Sequence, residues 1–242
     1  MQYEQAFDSD GNYLATAANA PVTARAAFVR NTYIHVAGAV AAFVGIEALL
    51  FGTGAADVIL QSIFASAGKF AMIGLMVAFI GGGYVANMMA HSRSRTTQYL
   101  GLIGYVLLEA MIFLPILYVA DMRYPAEQLP LQAGLVTLAV FGALTTFVFI
   151  SGANFSGLGP IITILSFAAL GVVVCSMIFG FHLGLIFSAA MVVLAAGCIV
   201  YQTSQMIHQY PTDAYVGAAL GLFASLATMF YYILRIFMSS RD

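Results

Sequence analysis

Residues 158 to 207 read LGPIITILSFAALGVVVCSMIFGFHLGLIFSAAMVVLAAGCIVYQTSQMI, and this stretch contains no aspartate, glutamate, lysine or arginine. One uninterrupted helix of that length would extend roughly 75 Å, because an α-helix rises about 1.5 Å per residue. The hydrocarbon core of a membrane is only about 30 Å thick. The stretch must therefore break, and we place the break between Phe179 and Gly184, which leaves two membrane-spanning helices.

The composition extends this prediction to the whole chain. Of its 242 residues, 62% are hydrophobic and 7% are charged, whereas about 25% of the residues in soluble domains are charged. Between Glu127 and Arg235 the only aspartate, glutamate, lysine or arginine is Asp213. A water-soluble surface cannot be built from this composition, so we predict an integral membrane protein.

Polar and glycine-rich interruptions divide the chain into about seven spans. The first three are expected near residues 27–51, 69–89 and 97–119, and a short amphipathic segment after the first is expected to lie along the membrane interface. Further breaks are expected at residues 151–160, 179–184 and 209–213. We therefore predict an all-α fold in which about seven transmembrane helices form a compact bundle.

Two regions follow from this division. Residues 1–23 are predicted to form a flexible polar N-terminal tail, and residues 24–242 the seven-helix transmembrane domain. Basic residues near the span ends then predict the orientation, since they concentrate on the cytoplasmic side. Arg25, Arg30, Arg93 and Arg95 lie on one side of the first three spans, against Lys69 and Arg123 on the other. The N-terminus is expected in the cytoplasm, and the C-terminus, with Arg235 and Arg241, outside.

Known catalytic and metal-binding patterns are absent from the sequence. There is no HExxH or GxSxG motif, the four histidines are dispersed, and the two cysteines lie inside apolar runs. The net charge of -2 comes without a basic cluster that would suit nucleic acid. We therefore predict a protein that is not an enzyme, has no cofactor or metal, and does not bind nucleic acid.

Three ionisable residues fall inside predicted spans, namely Glu47, Glu109 and Arg235. A charged side chain at the centre of a span costs about 2.5 to 3.5 kcal/mol on insertion scales, so each one needs a reason. The glutamates could line an internal cavity as proton or cation sites, or they could be held by hydrogen bonds. Arg235 could take part in function or could extend to the lipid headgroups.

A neutral polar cluster is predicted near the last loop. Residues 202–205 end the sixth span with the sequence QTSQ, and Ser225 and Thr228 lie three residues apart in the seventh. Residues at that spacing share one helix face. We expect these groups to form hydrogen bonds between helices, each contributing about 0.6 kcal/mol.

Several segments, taken together and in order, resemble the Bax inhibitor-1, or transmembrane Bax inhibitor motif, family. They are ARAAFVRNTYIHVAGAV at 24–40, LLEAMIFLPILYV at 107–119, QAGLVTLAVFGALTTF at 132–147, SGANFSGLGPII at 151–162, IVYQTSQMIH at 199–208, and ALGLFASLATMFYYILRIFMSSRD at 219–242. The resemblance implies a seven-helix fold whose last helix is enclosed by the others. In many members it also implies a pH-sensitive calcium leak controlled by two aspartates.

Gln202 and Ser225 occupy the positions that match this pair of aspartates. Neither side chain titrates near neutral pH, so the charge-based control is missing. This departure, with the YQTS and terminal SRD sequences, is similar to the bacterial YccA-like branch, which is associated with the membrane AAA protease FtsH. The resemblance thus implies a multi-pass protein of the bacterial inner membrane that binds and modulates FtsH. The alternative is a pH-modulated cation leak, for calcium or protons, that uses Glu109 and Glu47.

Overall fold

The computed structural model describes residues 16–67 and 71–241, and within these ranges the chain is helical apart from short loops and one isolated β-bridge. The α-helices are α1 (Val22–Gly52), α2 (Ala55–Ala67), α3 (Ala71–Ala90), α4 (Arg95–Arg123), α5 (Leu129–Ser151), α6 (Gly159–Phe179), α7 (Leu185–His208) and α8 (Tyr215–Ser239). A short 3-10 helix, Ser156–Leu158, precedes α6. Seven of the described helices are long and apolar enough to span a membrane, which confirms the predicted all-α membrane bundle.

The remaining helix, α2, is too short to cross a membrane. It has 13 residues and packs against α1 and α4. Ala56 and Leu60 of α2 are buried with Leu114 of α4, so one face of the helix adds to the protein core. The interfacial segment expected from the sequence is therefore a helix that docks on the bundle.

α6 and α7, the two helices of the long uncharged stretch, are separated by the break that the membrane thickness requires. α6 ends at Phe179, and Gly180 follows with a φ of 72°, a left-handed conformation that favours glycine. α7 begins at Leu185, so the connection is short. Gly152 ends α5 in the same way, with a φ of 59°.

α8 is the central helix of the bundle. It contacts α1, α3, α4, α5 and α7, and 72% of its apolar span is buried. None of the corresponding span of α6 is buried, because α6 packs on the outside against α7. The last helix therefore has the enclosed position that the family resemblance implies.

Polar contacts join the loops at the end where α1 begins. The Ala17 N–H donates to the Tyr210 carbonyl at 2.9 Å, and the Arg95 guanidinium donates to the Asp213 carbonyl at 2.8 Å. The Gln209 amide donates to the Ser156 hydroxyl at 2.7 Å. The α3–α4, α5–α6 and α7–α8 loops thus lie together at this end.

The opposite end carries the C-terminus and its arginines. Arg241 pairs with Glu127, with 3.0 Å between Nε and the carboxylate oxygen, and Arg235 donates to the Leu183 carbonyl at 2.7 Å. The chain thus starts and finishes at opposite ends, as seven crossings require. Both C-terminal arginines are partnered, although the exposed ion pair contributes no more than about 1 kcal/mol.

The N-terminal tail falls largely outside the described residues, as does Lys69, which was expected to open the second span. Residues 1–15 are not described, but residues 16–20 pack against the α7–α8 loop, with Ala17 fully buried. The Ala17 N–H bonds to this loop, and the Asn19 and Ala20 N–H groups bond to the Thr16 carbonyl. Any flexible segment must therefore end before Thr16, earlier than the boundary at residue 23 expected from composition.

Candidate functional site

The centre of the α7–α8 interface holds the two residues that match the aspartate pair of the family resemblance. The Ser225 hydroxyl donates to the Gln202 side-chain carbonyl at 3.0 Å. Ser225 is 7% exposed. Gly221, one turn before Ser225 on α8, faces the Gln202 amide, so no side chain comes between this amide and the backbone of α8.

This pair is a neutral hydrogen bond between two side chains that do not ionise at physiological pH. A buried hydrogen bond contributes roughly 1 kcal/mol to stability, and removing one partner leaves the other unsatisfied at a cost of about 1 to 3 kcal/mol. Because neither group gains or loses a proton, the bond holds α7 on α8 equally well at acidic and neutral pH.

The polar run around Gln202 connects α7 to the neighbouring loop. The Ser204 hydroxyl accepts from the Phe155 N–H at 2.8 Å, which ties α7 to the α5–α6 loop. Gln205 donates to the Tyr201 hydroxyl one turn earlier on the same helix. The cluster predicted from the sequence therefore does join different parts of the bundle, through Gln202 and Ser204.

A second polar group lies beside this pair and brings together three helices. Tyr33 of α1 is within hydrogen-bonding reach of Thr145 of α5 and Thr203 of α7. Among the described residues, none of the three buried hydroxyls has a hydrogen bond of good geometry. Thr203 belongs to the QTSQ run, but Tyr33 and Thr145 have no signal in the sequence, because these residues are far apart in the chain.

Glu109 faces the interior of the bundle. The residue is 2% exposed, and the Tyr105 hydroxyl, one turn earlier on α4, lies within hydrogen-bonding reach of its carboxyl group. One of its carboxyl oxygens has no hydrogen-bond partner in the described part of the chain. The expectation that this glutamate avoids the lipid is met, and its proton or cation role stays a prediction.

Glu47 is also buried, at 7% exposure, and neither of its carboxyl oxygens has a partner among residues 16–67 and 71–241. No hydrogen bond joins it to Glu109. The rings of Phe43 on α1 and Phe113 on α4 are in contact, with centroids 5.1 Å apart. Glu47 follows Phe43 by one turn, and Glu109 precedes Phe113 by one turn.

An aromatic cluster packs α1, α4 and α8 together one turn from each glutamate. It is formed by Phe43, Phe113, Phe223 and Phe230, from α1, α4 and α8. The centroids of Phe113 and Phe230 are 5.4 Å apart in a stacked arrangement, and those of Phe43 and Phe223 are 6.4 Å apart. Such packing excludes water, so no continuous polar path joins the two glutamates through this cluster.

The Gln202–Ser225 pair lies on the far side of α8 from Glu109. Phe223 points toward α1 and α4, because its ring contacts Phe43 and Tyr105. Ser225 follows two residues later, which turns its side chain by about 200° around the helix. The structure therefore places the two candidate sites in separate surroundings, with the body of α8 between them.

The last two candidates have local structural roles. Thr228 donates to the Ala224 carbonyl of its own helix at 2.9 Å, so it makes no bond across helices. Arg235 is partly buried and donates to Leu183 in the α6–α7 loop. Its guanidinium therefore has a protein partner, in addition to the two roles expected from the sequence, which were a functional role and extension to the headgroups.

No group of three or more histidine, cysteine, aspartate or glutamate side chains that could hold a metal ion occurs in the described ranges. The histidines instead bond to nearby carbonyls. His35, His91 and His208 each place Nδ1 within 2.9 Å of the backbone carbonyl four residues earlier.

Comparison with known proteins decides the family. The family model described as Inhibitor of apoptosis-promoting Bax1 matches residues 25–242, which is all of the chain apart from the N-terminal tail and Ala24. The chain belongs to the Bax inhibitor-1 family. The resemblance drawn from the quoted segments is thereby confirmed at the level of the family.

Relatives of this Bax inhibitor-1 family member come from a virus, a plant and a bacterium. The chain is 27% identical to the Golgi anti-apoptotic protein of Vaccinia virus (strain Lister), over 95% of the chain and 92% of the viral protein. It is 33% identical to a BI1-like protein of Arabidopsis thaliana, over 44% of the chain and 43% of the plant protein. It is 34% identical to an uncharacterised protein of Pseudomonas aeruginosa, over 44% of the chain and 48% of the bacterial protein. No solved structure matches the chain.

Proposed function

We infer that this Bax inhibitor-1 family protein is a non-enzymatic protein of the bacterial inner membrane that binds and modulates a membrane AAA protease of the FtsH type. Its N-terminus lies in the cytoplasm. The similarity to the YccA-like branch supports this function, through the YQTS sequence at 201–204 and the terminal SRD at 240–242. The position of Arg25 and Arg30 at the start of α1 supports the orientation.

The Gln202–Ser225 hydrogen bond is the observation that carries the proposal. It fills the place of the implied aspartate pair with groups that hold α7 and α8 together and do not respond to pH. With an α7–α8 contact that does not respond to pH, the bundle is suited to act as a stable binding partner. Co-purification from native membranes in a mild detergent, with the partners identified by mass spectrometry, tests this function. A preparation that retains membrane lipids but never contains the protease contradicts it.

The N-terminal tail is the segment by which such a protease would reach the chain. A protease of this class must grip a flexible end before it can pull, and residues 1–15 are polar with few apolar side chains. Residues 16–20 are already held against the α7–α8 loop. The segment that the protease grips, called the handle below, is therefore best defined as residues 1–15.

Deleting residues 2–15 is expected to lengthen the lifetime of the protein several-fold in cells that contain the protease, because the gripped end is removed. The deletion keeps the Ala17 contact and should leave co-purification unchanged, since the bundle makes the regulatory contact. A pulse-chase measurement of lifetime checks the first result.

A matched control replaces residues 2–15 with a glycine-serine segment of equal length. This variant should be degraded at the normal rate if the protease needs only a flexible end. An unchanged lifetime after deletion, or a tail that a protease-protection assay places outside the cytoplasm, refutes the handle and leaves the bundle contact standing.

A second candidate function is a cation leak, and a specific observation favours it. Glu47 and Glu109 are both buried with unpartnered carboxyl oxygens among the described residues, and buried ionisable groups in spans often mark ion or proton pathways. The aromatic cluster that lies one turn from each of them opposes a continuous path. Any leak is therefore expected to be slow.

Replacing Glu109 with glutamine is expected to reduce any calcium or proton flux at least tenfold, because the amide has neither a titratable proton nor a negative charge. Flux is measured with purified protein in liposomes. Asp121→Asn is the control, since Asp121 is exposed near the end of the same helix. Equal flux in the wild type and the Glu109→Gln variant rules out this pathway.

A further inference from the structure

α1 and α4 leave a groove between them on the lipid-facing side of the bundle. The groove has a volume of about 350 Å³ and is lined almost entirely by apolar atoms. Its lining includes Ile34, Gly38, Ala42 and Ile46 of α1, with Ile103 and Leu107 of α4. The four α1 residues are spaced four apart, so they form one row along the helix.

One end of the groove is polar. His35 is part of the lining; its Nδ1 lies 2.7 Å from the Asn31 carbonyl, and its Nε2 lies 3.0 Å from the Tyr99 hydroxyl. The carbonyl can only accept, so Nδ1 donates to it, and in a neutral ring Nε2 accepts from the tyrosine. A hydroxyl and an imidazole thus mark the point where the groove ends.

Arg30 stands just beyond this end. It lies one turn before Ile34 in the same row and is exposed, and it forms no hydrogen bond or ion pair within the described residues. α1 and α4 run in parallel, as the His35–Tyr99 and Phe43–Phe113 contacts show. Counting back five residues from His35 and Tyr99 places Arg30 level with Ser94.

Ser94 caps the first turn of α4, so this level is where a spanning helix begins at the membrane surface. Lipid phosphates lie at that depth. An unpaired guanidinium there attracts an anion, and basic residues near the surface favour anionic lipids by about fivefold each. The mouth of the apolar groove thus offers a positive charge at the height of a headgroup.

The shape and charge of the groove suit a lipid. From Ile34 to Ile46 the helix rises about 18 Å, and the lining along this row is apolar, as an extended hydrocarbon chain requires. The positive charge of Arg30 at the mouth of the groove favours an anionic headgroup on that chain.

We propose that the α1–α4 groove is a binding site for an anionic phospholipid, with one acyl chain along the Gly38–Ala42 row and the phosphate on Arg30. Tyr99 and His35 provide a hydroxyl and an imidazole near the headgroup. This site is separate from the α7–α8 pair and does not depend on the proposed function.

The absence of tryptophan from the chain makes the site testable by fluorescence. Ile103→Trp puts a single reporter on an exposed lining position. The full-length variant is reconstituted in phosphatidylcholine vesicles with a minor fraction of phosphatidylglycerol, with bromine on the acyl chains of either lipid. Brominated phosphatidylglycerol should quench about fivefold more than its mole fraction predicts, and Arg30→Gln should abolish the excess.

Three matched controls sharpen the result. Leu135→Trp, on an exposed position of α5 outside the groove, should show quenching in proportion to mole fraction. Arg93→Gln removes an exposed arginine from the α3–α4 loop and should leave the excess intact. Gly38→Leu places a side chain in the groove, since a Cβ atom at Gly38 meets no atom within 4 Å. This variant should remove the excess quenching by brominated phosphatidylglycerol. Gly142→Leu, at an equally open glycine of α5, should leave the excess quenching unchanged.

Two outcomes overturn the proposal. Equal quenching by both lipids, unchanged by Arg30→Gln, means that bulk lipid fills the groove without selection. Protection of the fluorescent reporter at position 103 from both brominated lipids means that a protein surface covers it, in which case crosslinking from the same position identifies that surface. Size-exclusion profiles equal to those of the wild type confirm that each variant is folded.

Discussion

Replacing Gln202 and Ser225 together with aspartate is expected to make the stability of the bundle depend steeply on pH, whereas the wild type should show no such dependence from this site. The native side chains are 3.0 Å apart and neutral. Two carboxylates at that separation in a buried interface cannot both be ionised without strong repulsion. The double variant should therefore hold at least one proton while folded at neutral pH.

The sign of the effect follows from proton linkage. In the unfolded chain both carboxyls lose their protons above about pH 4, but in the folded bundle one proton is retained to higher pH. The unfolded state then binds fewer protons, so stability falls as pH rises. We expect stability close to that of the wild type near pH 5 and a loss of about 3 kcal/mol by pH 8, the magnitude for a buried charge without a partner.

Thermal unfolding in detergent at a series of pH values measures this change. The single variants are the controls: in Ser225→Asp the Gln202 amide can donate to the new carboxylate, and in Gln202→Asp the Ser225 hydroxyl can do so. Both should depend on pH less than the double variant. If the melting temperatures of the wild type and the double variant change with pH in the same way, the two positions are not in contact.

Gly101→Ala is expected to destabilise the α3–α4 contact, by about 1 to 3 kcal/mol, which is the range for overpacking a filled core. A Cβ atom at Gly101 would lie 2.8 Å from the Ala86 carbonyl oxygen, 2.9 Å from the Ala90 nitrogen and 2.9 Å from the Met89 Cβ. None of these atoms is the end of a flexible side chain. The two helices would have to move apart.

That movement would reach the central helix. The Ala90 carbonyl and the His91 ring lie 3.2 Å and 3.0 Å from the position of a Cβ on Gly217, at the start of α8. Displacing the end of α3 therefore disturbs its packing on α8 as well. We expect a lower melting temperature and a smaller monodisperse fraction on size-exclusion chromatography.

Gly104→Ala is the matched control on the same helix. No atom lies within 4 Å of a Cβ at Gly104, and alanine is favoured over glycine in a helix by about 0.8 to 1 kcal/mol. This variant should be as stable as the wild type or more stable. A Gly101→Ala variant that behaves like Gly104→Ala would show that α3 and α4 are not in close contact.

Much of the fold could be predicted because a bilayer imposes simple rules. The span number, the break near Gly180 and the presence of a short segment after α1 follow from charge, length and glycine positions, whereas the docking of that segment on the bundle does not. The family could be identified from ordered segments, and the matching of Gln202 with Ser225 was informative because these residues do meet. Burial of Glu109 followed from the cost of placing a carboxyl in lipid.

Other features had no signal in the sequence. The docking of Thr16–Ala20 on the α7–α8 loop, the partner of Arg235 and the hydroxyl cluster around Tyr33 all join residues far apart in the chain. Glu47 and Glu109 were considered as one site, but no hydrogen bond joins them and an aromatic cluster lies one turn from each. The groove between α1 and α4 also has no signal in the sequence, because it forms only where the two helices pack together.

The sequence by itself determined that this protein lies in a lipid bilayer, how many times the chain spans it and which residues could not face lipid. Only the tertiary structure decided which helix faces meet. The physical reason is that most of these spans are apolar on every side, so hydrophobicity does not single out the buried face as it does in a soluble helix. Helix contacts are set instead by close approach at small residues such as Gly101 and by a few polar pairs, including His35–Tyr99 and Gln202–Ser225, whose members lie on different helices.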